Sequence, residues 1–147
     1  MYKRIFDIEN KLDEGMFLFG ARQTGKSTLL KERFKDAIYY DLLLPNVKKA
    51  LKRNPEAFRE ALMDKPAGTL IIIDEIQKVP DLMESMKIRI DELKFQHVNN
   101  ELPVSLLYIL TGSNTHEIRE KAYETLAGRT ALIEVNSFSE NEKLKIR

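Results

Sequence analysis

The feature that most constrains the fold is a short apolar run followed at once by a loop bounded by two glycines. The apolar run is Met16–Phe19, and the loop reads Gly20-Ala21-Arg22-Gln23-Thr24-Gly25-Lys26-Ser27, which fits the phosphate-binding pattern G-x-x-x-x-G-K-[ST]. In this pattern the backbone N–H groups of the loop and the positive end of the following helix converge on one anion. The sequence therefore predicts a strand, a phosphate-binding loop and a helix over about residues 25–35.

Each part of this loop has a predicted task. Lys26 would reach the β- and γ-phosphates, and the Ser27 hydroxyl would ligate Mg²⁺. The predicted nucleotide-binding residues are Gly20, Ala21, Arg22, Gln23, Thr24, Gly25, Lys26, Ser27 and Thr28. We therefore expect the chain to bind a nucleoside triphosphate together with Mg²⁺. The alternative interpretation is a glycine-rich turn that only exposes a lysine.

The composition is that of an ordinary folded domain, and it excludes some kinds of chemistry. Of the 147 residues, 43% are hydrophobic and 32% are charged, and 24 basic against 23 acidic residues leave a net charge of +1. The absence of cysteine excludes disulfides and thiol catalysis. A balanced charge gives no support for a broad nucleic-acid-binding surface, and the basic segment 48–53 is interpreted as a solvated helix face. With no signal-peptide pattern and no long apolar run, we expect a cytoplasmic location and no membrane association.

The rest of the chain alternates short apolar runs with amphipathic stretches, which is typical of an α/β fold with a mostly parallel sheet. The predicted strands are Met16–Phe19, 37–41, 70–73, 104–111 and 131–135, with Tyr39 and Tyr40 as core and edge residues of the second. Capping patterns predict further helices after Asn54, Asp81 and Asn114. The helix after Asn54 is predicted to bury Ala57, Phe58, Ala61 and Leu62.

A second strong signal is the segment 70–75, LIIIDE, in which an apolar strand ends in two carboxylates. Ligands of open parallel sheets bind at the carboxyl ends of the strands, where the phosphate-binding loop also lies. Asp74 is therefore the candidate to hold, usually through water, the Mg²⁺ that Ser27 ligates. Glu75 is the candidate to orient or deprotonate the attacking water. The alternative for this pair is a solvated acidic turn.

Several further motifs occur together in a recognisable order. Residues 22–28 read RQTGKST, 72–82 IIDEIQKVPDL, 110–114 LTGSN, 126–129 LAGR and 137–140 SFSE. In these motifs the chain resembles the AAA-like ATP-binding proteins of archaea and bacteria, whose ATPase core is normally followed by a lid-like region and a C-terminal domain of unknown function. The resemblance covers nearly the whole chain. Ala21 stands where this family often has proline, a change that we expect to be harmless.

The resemblance implies an α/β, three-layer P-loop NTPase core with about five mostly parallel strands and helices on both faces. It places the strand of the phosphate-binding loop beside the strand of the LTGSN motif, and the latter beside the acidic strand. It also implies that Ser113 or Asn114 is a polar sensor of the γ-phosphate or the attacking water; the alternative for Asn114 is a helix N-cap paired with Glu117. Arg129 is implied to sense or stabilise phosphate charge, in its own subunit or a neighbour's, the alternative being an exposed arginine at a loop end.

These features together predict Mg²⁺-dependent ATP binding and hydrolysis by a core that would drive an attached domain or a partner. The predicted catalytic residues are Glu75, Lys26, Ser113, Asn114 and Arg129, and the predicted ligands are ATP or ADP with Mg²⁺. We expect residues 1–147 to form a single P-loop ATPase domain without the family's lid and C-terminal domain. A protein partner or self-association is compatible with this interpretation. Two alternatives stay open: a nucleotide-binding module or truncated fragment without significant turnover, and a small-molecule kinase.

Overall fold

Strands and helices alternate along the part of the chain that the computed structural model describes, residues 15–20, 26–65, 69–100, 107–128 and 130–134. The strands are β1 (Met16–Phe19), β2 (Ile38–Asp41), β3 (Leu70–Asp74), β4 (Leu107–Gly112) and β5 (Ala131–Glu134). The helices are α1 (Lys26–Arg33), α2 (Pro45–Arg53), α3 (Pro55–Met63), α4 (Leu82–Asn100) and α5 (His116–Leu126), with a 3-10 turn at Ile76–Lys78. All five predicted strands are present. The predicted strand residues 104–106 and 135 lie outside the described residues.

The five strands form one parallel sheet in the order β2-β3-β4-β1-β5. Leu18 of β1 lies opposite Thr111 of β4, and Ile73 of β3 lies opposite Leu110 of β4. This order confirms the predicted placement of the loop-bearing strand beside the LTGSN strand, and of that strand beside the acidic one. Because the strands are parallel, the loop after β1, the acidic end of β3 and the polar end of β4 meet at one edge. We call it the carboxyl edge.

Apolar side chains cover both faces of the sheet, since successive residues of a strand point to opposite sides. One face packs against residues of α3, α4 and α5, and the other packs against Leu30 of α1. The first face carries Phe17, Phe19, Ile71, Ile73, Tyr108 and Leu110, and the second carries Met16, Leu18, Ile72 and Ile109. The chain is therefore a three-layer α/β structure with helices on both faces, as predicted.

Helix α3 begins where its capping pattern places it. The Asn54 side chain accepts a hydrogen bond of 3.1 Å from the Ala57 N–H, and Pro55 is the first helical residue. Its buried side is narrower than predicted: Phe58 and Leu62 are buried, Ala61 is half-buried and Ala57 is exposed. The buried side is set by Phe58 and Leu62, which lie four residues apart on one face of the helix.

Helix α5 is capped by Thr115, so the expected cap at Asn114 is wrong by one residue. Thr115 has the extended backbone of a cap, and its hydroxyl accepts a hydrogen bond of 3.3 Å from the Ile118 N–H. The basic segment lies within α2, where Lys49, Lys52 and Arg53 are exposed and Lys48 is half-buried. Its interpretation as a solvated helix face is therefore confirmed. Within the described ranges, no helix combines the length and apolar character needed to cross a membrane.

Candidate functional site

The two ends of the phosphate-binding pattern lie at the carboxyl edge. β1 ends at Phe19, the Gly20 N–H donates a hydrogen bond of 2.9 Å to the carbonyl of Gly112 at the end of β4, and α1 begins at Lys26. The predicted strand before the pattern and the predicted helix after it are thus present. Thr28 is exposed on α1. The predicted site residues Ala21, Arg22, Gln23, Thr24, Gly25 and Arg129, and the side chain of Lys26, lie outside the described residues.

The Asp74 carboxylate accepts hydrogen bonds from hydroxyl groups of three other elements. Ser27 Oγ at the start of α1 donates to Asp74 Oδ2 at 2.6 Å, and the hydroxyl of Tyr39 on β2 donates to the same oxygen. Thr111 Oγ1 on β4 donates to Asp74 Oδ1 at 2.5 Å. Asp74 is only 1% exposed. The fold therefore brings together the two residues predicted as metal ligands, although 47 positions separate them in the chain.

Tyr39 belongs to this network, which the sequence did not indicate. Burial, and next the hydrogen bond to Asp74, raise the pKa of the Tyr39 phenol far above its usual value. The phenol stays protonated well above neutral pH and donates its hydrogen bond to Asp74. Lys31 Nζ lies 5.0 Å from the centroid of its ring, within cation–π range. Its contact with Asp74 follows from the pairing of β2 with β3, which sets Tyr39 opposite Ile72, two residues before Asp74, and no residue pattern in the sequence indicates this register.

Glu75 is buried and held at both its backbone and its carboxylate. Its N–H donates to Thr111 Oγ1 at 2.9 Å, and its Oε1 accepts a hydrogen bond of 2.6 Å from Gln77 Nε2. The Gln77 Oε1 in turn accepts a hydrogen bond of 3.1 Å from the Ser113 N–H. Since Asp74 and Glu75 are each 1% exposed, the alternative of a solvated acidic turn is wrong.

The two sensor candidates differ in their surroundings. Ser113 is half-buried and its N–H is bound to Gln77, whereas Asn114 is exposed and its Oδ1 accepts a hydrogen bond of 2.7 Å from Arg119 Nη1. The Arg119 guanidinium carbon lies 5.3 Å from the centroid of the Phe19 ring, at the end of the strand that leads into the loop. Both candidates lie directly after β4 at the carboxyl edge, beside the end of β1. Their predicted roles stay predictions.

The donor groups at this edge suit a magnesium ion. Mg²⁺ prefers oxygen ligands and is usually held by one or two carboxylates together with water and phosphate oxygens. The Ser27 hydroxyl and the Asp74 carboxylate are such donors, already within 2.6 Å of each other. Beside them stands a second buried carboxylate, Glu75. The arrangement can therefore hold a cation at one carboxylate and leave the other to act on water.

Replacing Thr111 with valine is expected to lower the free energy of unfolding by about 1–3 kcal/mol, because the buried Glu75 N–H loses this acceptor and Asp74 loses this donor. Thr111→Ser is the matched control, since it keeps the hydroxyl and removes one methyl group, worth about 0.8 kcal/mol. Urea denaturation of the three proteins measures the difference. A valine variant as stable as the serine variant would contradict the role given to this hydroxyl.

The parallel sheet order, with β1 before the phosphate-binding pattern and α1 after it, defines an α/β fold of the P-loop type. The chain belongs to an AAA domain family, whose model matches residues 13–144. Whether it falls in the narrower archaeal and bacterial group stays a prediction.

The solved structures that are similar to the chain include the following two. One is the FIGL-1 AAA domain in complex with ADP, at 18% identity and a TM-score of 0.45, covering 91% of this chain and 49% of that one. The other is the Pif1 helicase from Candida albicans, at 18% identity and a TM-score of 0.38, covering 91% of this chain and 39% of that one. The chain thus spans less than half the length of either structure. A search of curated proteins gave no match.

Proposed function

We propose that this chain is a single AAA-like ATPase domain that binds ATP or ADP with Mg²⁺ and hydrolyses ATP, driving an attached domain or a partner. The observation that carries the proposal is the hydrogen bond of 2.6 Å between Ser27 Oγ and Asp74 Oδ2. It joins the first turn of the loop helix to the end of the acidic strand, as a shared metal site requires. Membership of an AAA domain family supports the same function.

Nucleotide binding would use the loop and the start of α1. Backbone N–H groups of the loop and the N-terminus of α1 attract the phosphates, and Lys26 adds a positive charge toward the β- and γ-phosphates. Ser27 and Asp74 would hold Mg²⁺, which when bound neutralises phosphate charge and helps to align the phosphates. Tyr39 and Thr111 fix the Asp74 carboxylate from its two sides, so its orientation does not depend on the ligand.

Hydrolysis would depend on Glu75, one residue beyond the metal-binding carboxylate. Glu75 would orient the attacking water and accept its proton. Ser113 or Asn114 at the end of β4 would contact the γ-phosphate or that water, and Arg129 would stabilise the charge that develops during transfer. In this proposal, Glu75 and the sensor candidates follow directly after β3 and β4, whereas the residues that hold the nucleotide lie between the end of β1 and the first turn of α1.

A second candidate is a module that binds ATP or ADP without significant turnover. It is favoured by the surroundings of Glu75, a residue that is 1% exposed and whose carboxylate already accepts a hydrogen bond from Gln77. A general base in that position must be freed, or reached by water, before it can act. The two candidates share nucleotide binding and differ only in whether phosphate is released.

The test measures binding of a fluorescent ATP analogue and release of inorganic phosphate by the purified chain. Lys26→Ala is expected to weaken nucleotide binding about 10- to 100-fold, because it removes a charged contact to the phosphates. Lys35→Ala, at an exposed lysine just beyond α1, is the matched control and should bind like the wild type. Equal affinity in the wild type and Lys26→Ala would contradict the proposed site. Phosphate release supports the ATPase, and binding without release supports the second candidate.

A further inference from the structure

Gln77 uses both ends of its side-chain amide to connect Glu75, the proposed general base, with the end of β4, where the sensor candidates lie. Its Nε2 donates to Glu75 Oε1 at 2.6 Å, and its Oε1 accepts from the Ser113 N–H at 3.1 Å. One end therefore holds the proposed general base, and the other holds the backbone at the end of the sensor strand β4. Since an amide group is planar and rigid, a displacement at one end changes the orientation of the other.

The backbone conformation around Gln77 holds its side chain in this position. Glu75 has a φ of 66°, a left-handed conformation that is unfavourable for a non-glycine residue and is therefore maintained by its surroundings. It turns the chain from β3 into the 3-10 turn Ile76–Lys78, where the Lys78 N–H donates to the Glu75 carbonyl at 3.0 Å. Ile76 and Val79 on either side are buried in the core. The turn is thus anchored, and Gln77 is directed toward β4.

The end of β4 is shaped to receive this amide. Gly112 precedes Ser113, and a Cβ atom added to it would lie 3.3 Å from Gln77 Oε1 and 3.0 Å from Phe17 Cζ. Such contacts are tighter than ordinary van der Waals separations, so a side chain at this position would push against the amide. The same glycine accepts the hydrogen bond of the Gly20 N–H through its carbonyl. Gln77 therefore packs directly on the backbone that also contacts the start of the phosphate-binding loop.

We propose that Gln77 is a positioning residue that couples the end of β4 to the Glu75 carboxylate. This inference rests on the proposed function and adds to it a route by which the state of the nucleotide reaches the general base. When the end of β4 responds to the γ-phosphate, the Ser113 N–H shifts and the Gln77 amide turns with it. The hydrogen bond that holds Glu75 then changes direction, so the carboxylate is aligned with water only when the triphosphate is in place. In this role Gln77 acts through Glu75 and needs no contact of its own with the nucleotide.

The test replaces Gln77 with methionine, which has a similar length and cannot form either hydrogen bond. The expected result is a kcat for ATP hydrolysis about 10- to 100-fold lower, as is typical when a partner that orients a functional group is lost. The KM for ATP and the affinity for a fluorescent ADP analogue should be unchanged, whereas the melting temperature should fall by a few degrees, because the Glu75 carboxylate and the Ser113 N–H each lose a hydrogen-bond partner. Lys78→Met, at the next residue of the same turn, is the matched control and should keep the wild-type kcat.

A second variant separates the two ends of the amide. Gln77→Glu has the same size and keeps an acceptor for the Ser113 N–H, but it removes the donor to Glu75 and places two carboxylates together. It should lose at least as much kcat as Gln77→Met. A Gln77→Glu variant with the wild-type kcat would overturn the inference even if the methionine variant failed to fold.

A double-mutant cycle shows whether Gln77 acts through Glu75. In a Glu75→Gln background, the further change Gln77→Met should leave the residual turnover unchanged, because the group that Gln77 positions is already inactive. Losses that multiply would show that Gln77 acts independently of Glu75 and would overturn the inference. If Glu75→Gln abolishes turnover while Gln77→Met keeps the wild-type turnover, the role of Gln77 is overturned and the proposed function stays intact. Absence of turnover in the wild type would overturn both.

Discussion

Replacing Glu75 with glutamine is expected to lower kcat for ATP hydrolysis about 100- to 10,000-fold, the range that general-base catalysis contributes. Nucleotide affinity should be retained, because Glu75 is assigned to the water rather than to the phosphates or the metal. Glutamine has the same shape as glutamate and differs in its inability to accept a proton. The measurement is phosphate release at saturating ATP, with binding of a fluorescent ATP analogue followed in parallel.

The structure indicates that this substitution preserves the two hydrogen bonds described for Glu75. The Glu75 N–H, which donates to Thr111 Oγ1, is not affected, and the glutamine carbonyl can still accept the hydrogen bond from Gln77 Nε2. The variant should therefore keep the wild-type melting temperature. Glu84→Gln, at an exposed position in the first turn of α4, is the matched control and should keep full activity. Unchanged turnover in Glu75→Gln would remove Glu75 from the proposed mechanism.

Much of the fold could be predicted because local signals and sheet topology agree. The apolar runs of β1 and β3 are bounded by loop residues, and the five strands lie in the predicted positions to within a few residues. The relative placement of β1, β4 and β3 followed from the family resemblance and is confirmed. The N-cap residue of α5 could not be predicted in the same way. Asn114 and Thr115 are both good capping residues, and only the backbone conformation selects Thr115.

The candidate site was predictable where two separate motifs point to the same edge of the sheet. Ser27 follows a phosphate-binding loop and Asp74 ends an apolar strand, so their meeting needs only a parallel sheet. The contribution of Tyr39 could not be predicted, because it depends on β2 pairing with β3 in one register.

The hydrogen bonds of Gln77 to Glu75 and Ser113 could not be predicted, for a different reason. Gln77 follows Glu75 by two positions, and its contact with Ser113 depends on the left-handed backbone of Glu75, which no pattern of residue types indicated. Conformations of this kind occur where the surrounding structure imposes them. They are therefore recognised in the three-dimensional structure and not in the amino-acid sequence.

Replacing Asp74 with asparagine is expected to raise the Mg²⁺ concentration needed for half-maximal ATP hydrolysis about 10- to 100-fold, the usual cost of losing a group that supports a metal site. Asparagine keeps the shape of the side chain but loses the charge. It also has one side-chain oxygen instead of two. In the wild type, the single oxygen Asp74 Oδ2 accepts the hydrogen bonds from both the Ser27 and the Tyr39 hydroxyl groups. A second measurement does not require turnover: Mg²⁺ should raise the melting temperature of the ADP complex in the wild type and have little effect in Asp74→Asn.

The chain offers a matched control for this substitution one strand away. Asp41 is the last residue of β2 and lies opposite Asp74 in the register of the sheet. Its carboxylate accepts a hydrogen bond of 3.0 Å from the Leu43 N–H, which an asparagine oxygen can also accept. Asp41→Asn therefore makes the same chemical change at the same level of the carboxyl edge, and it should keep the wild-type dependence on Mg²⁺. If the two variants respond alike, the effect arises from the general negative charge of this edge, and Asp74 is not a specific metal-binding residue.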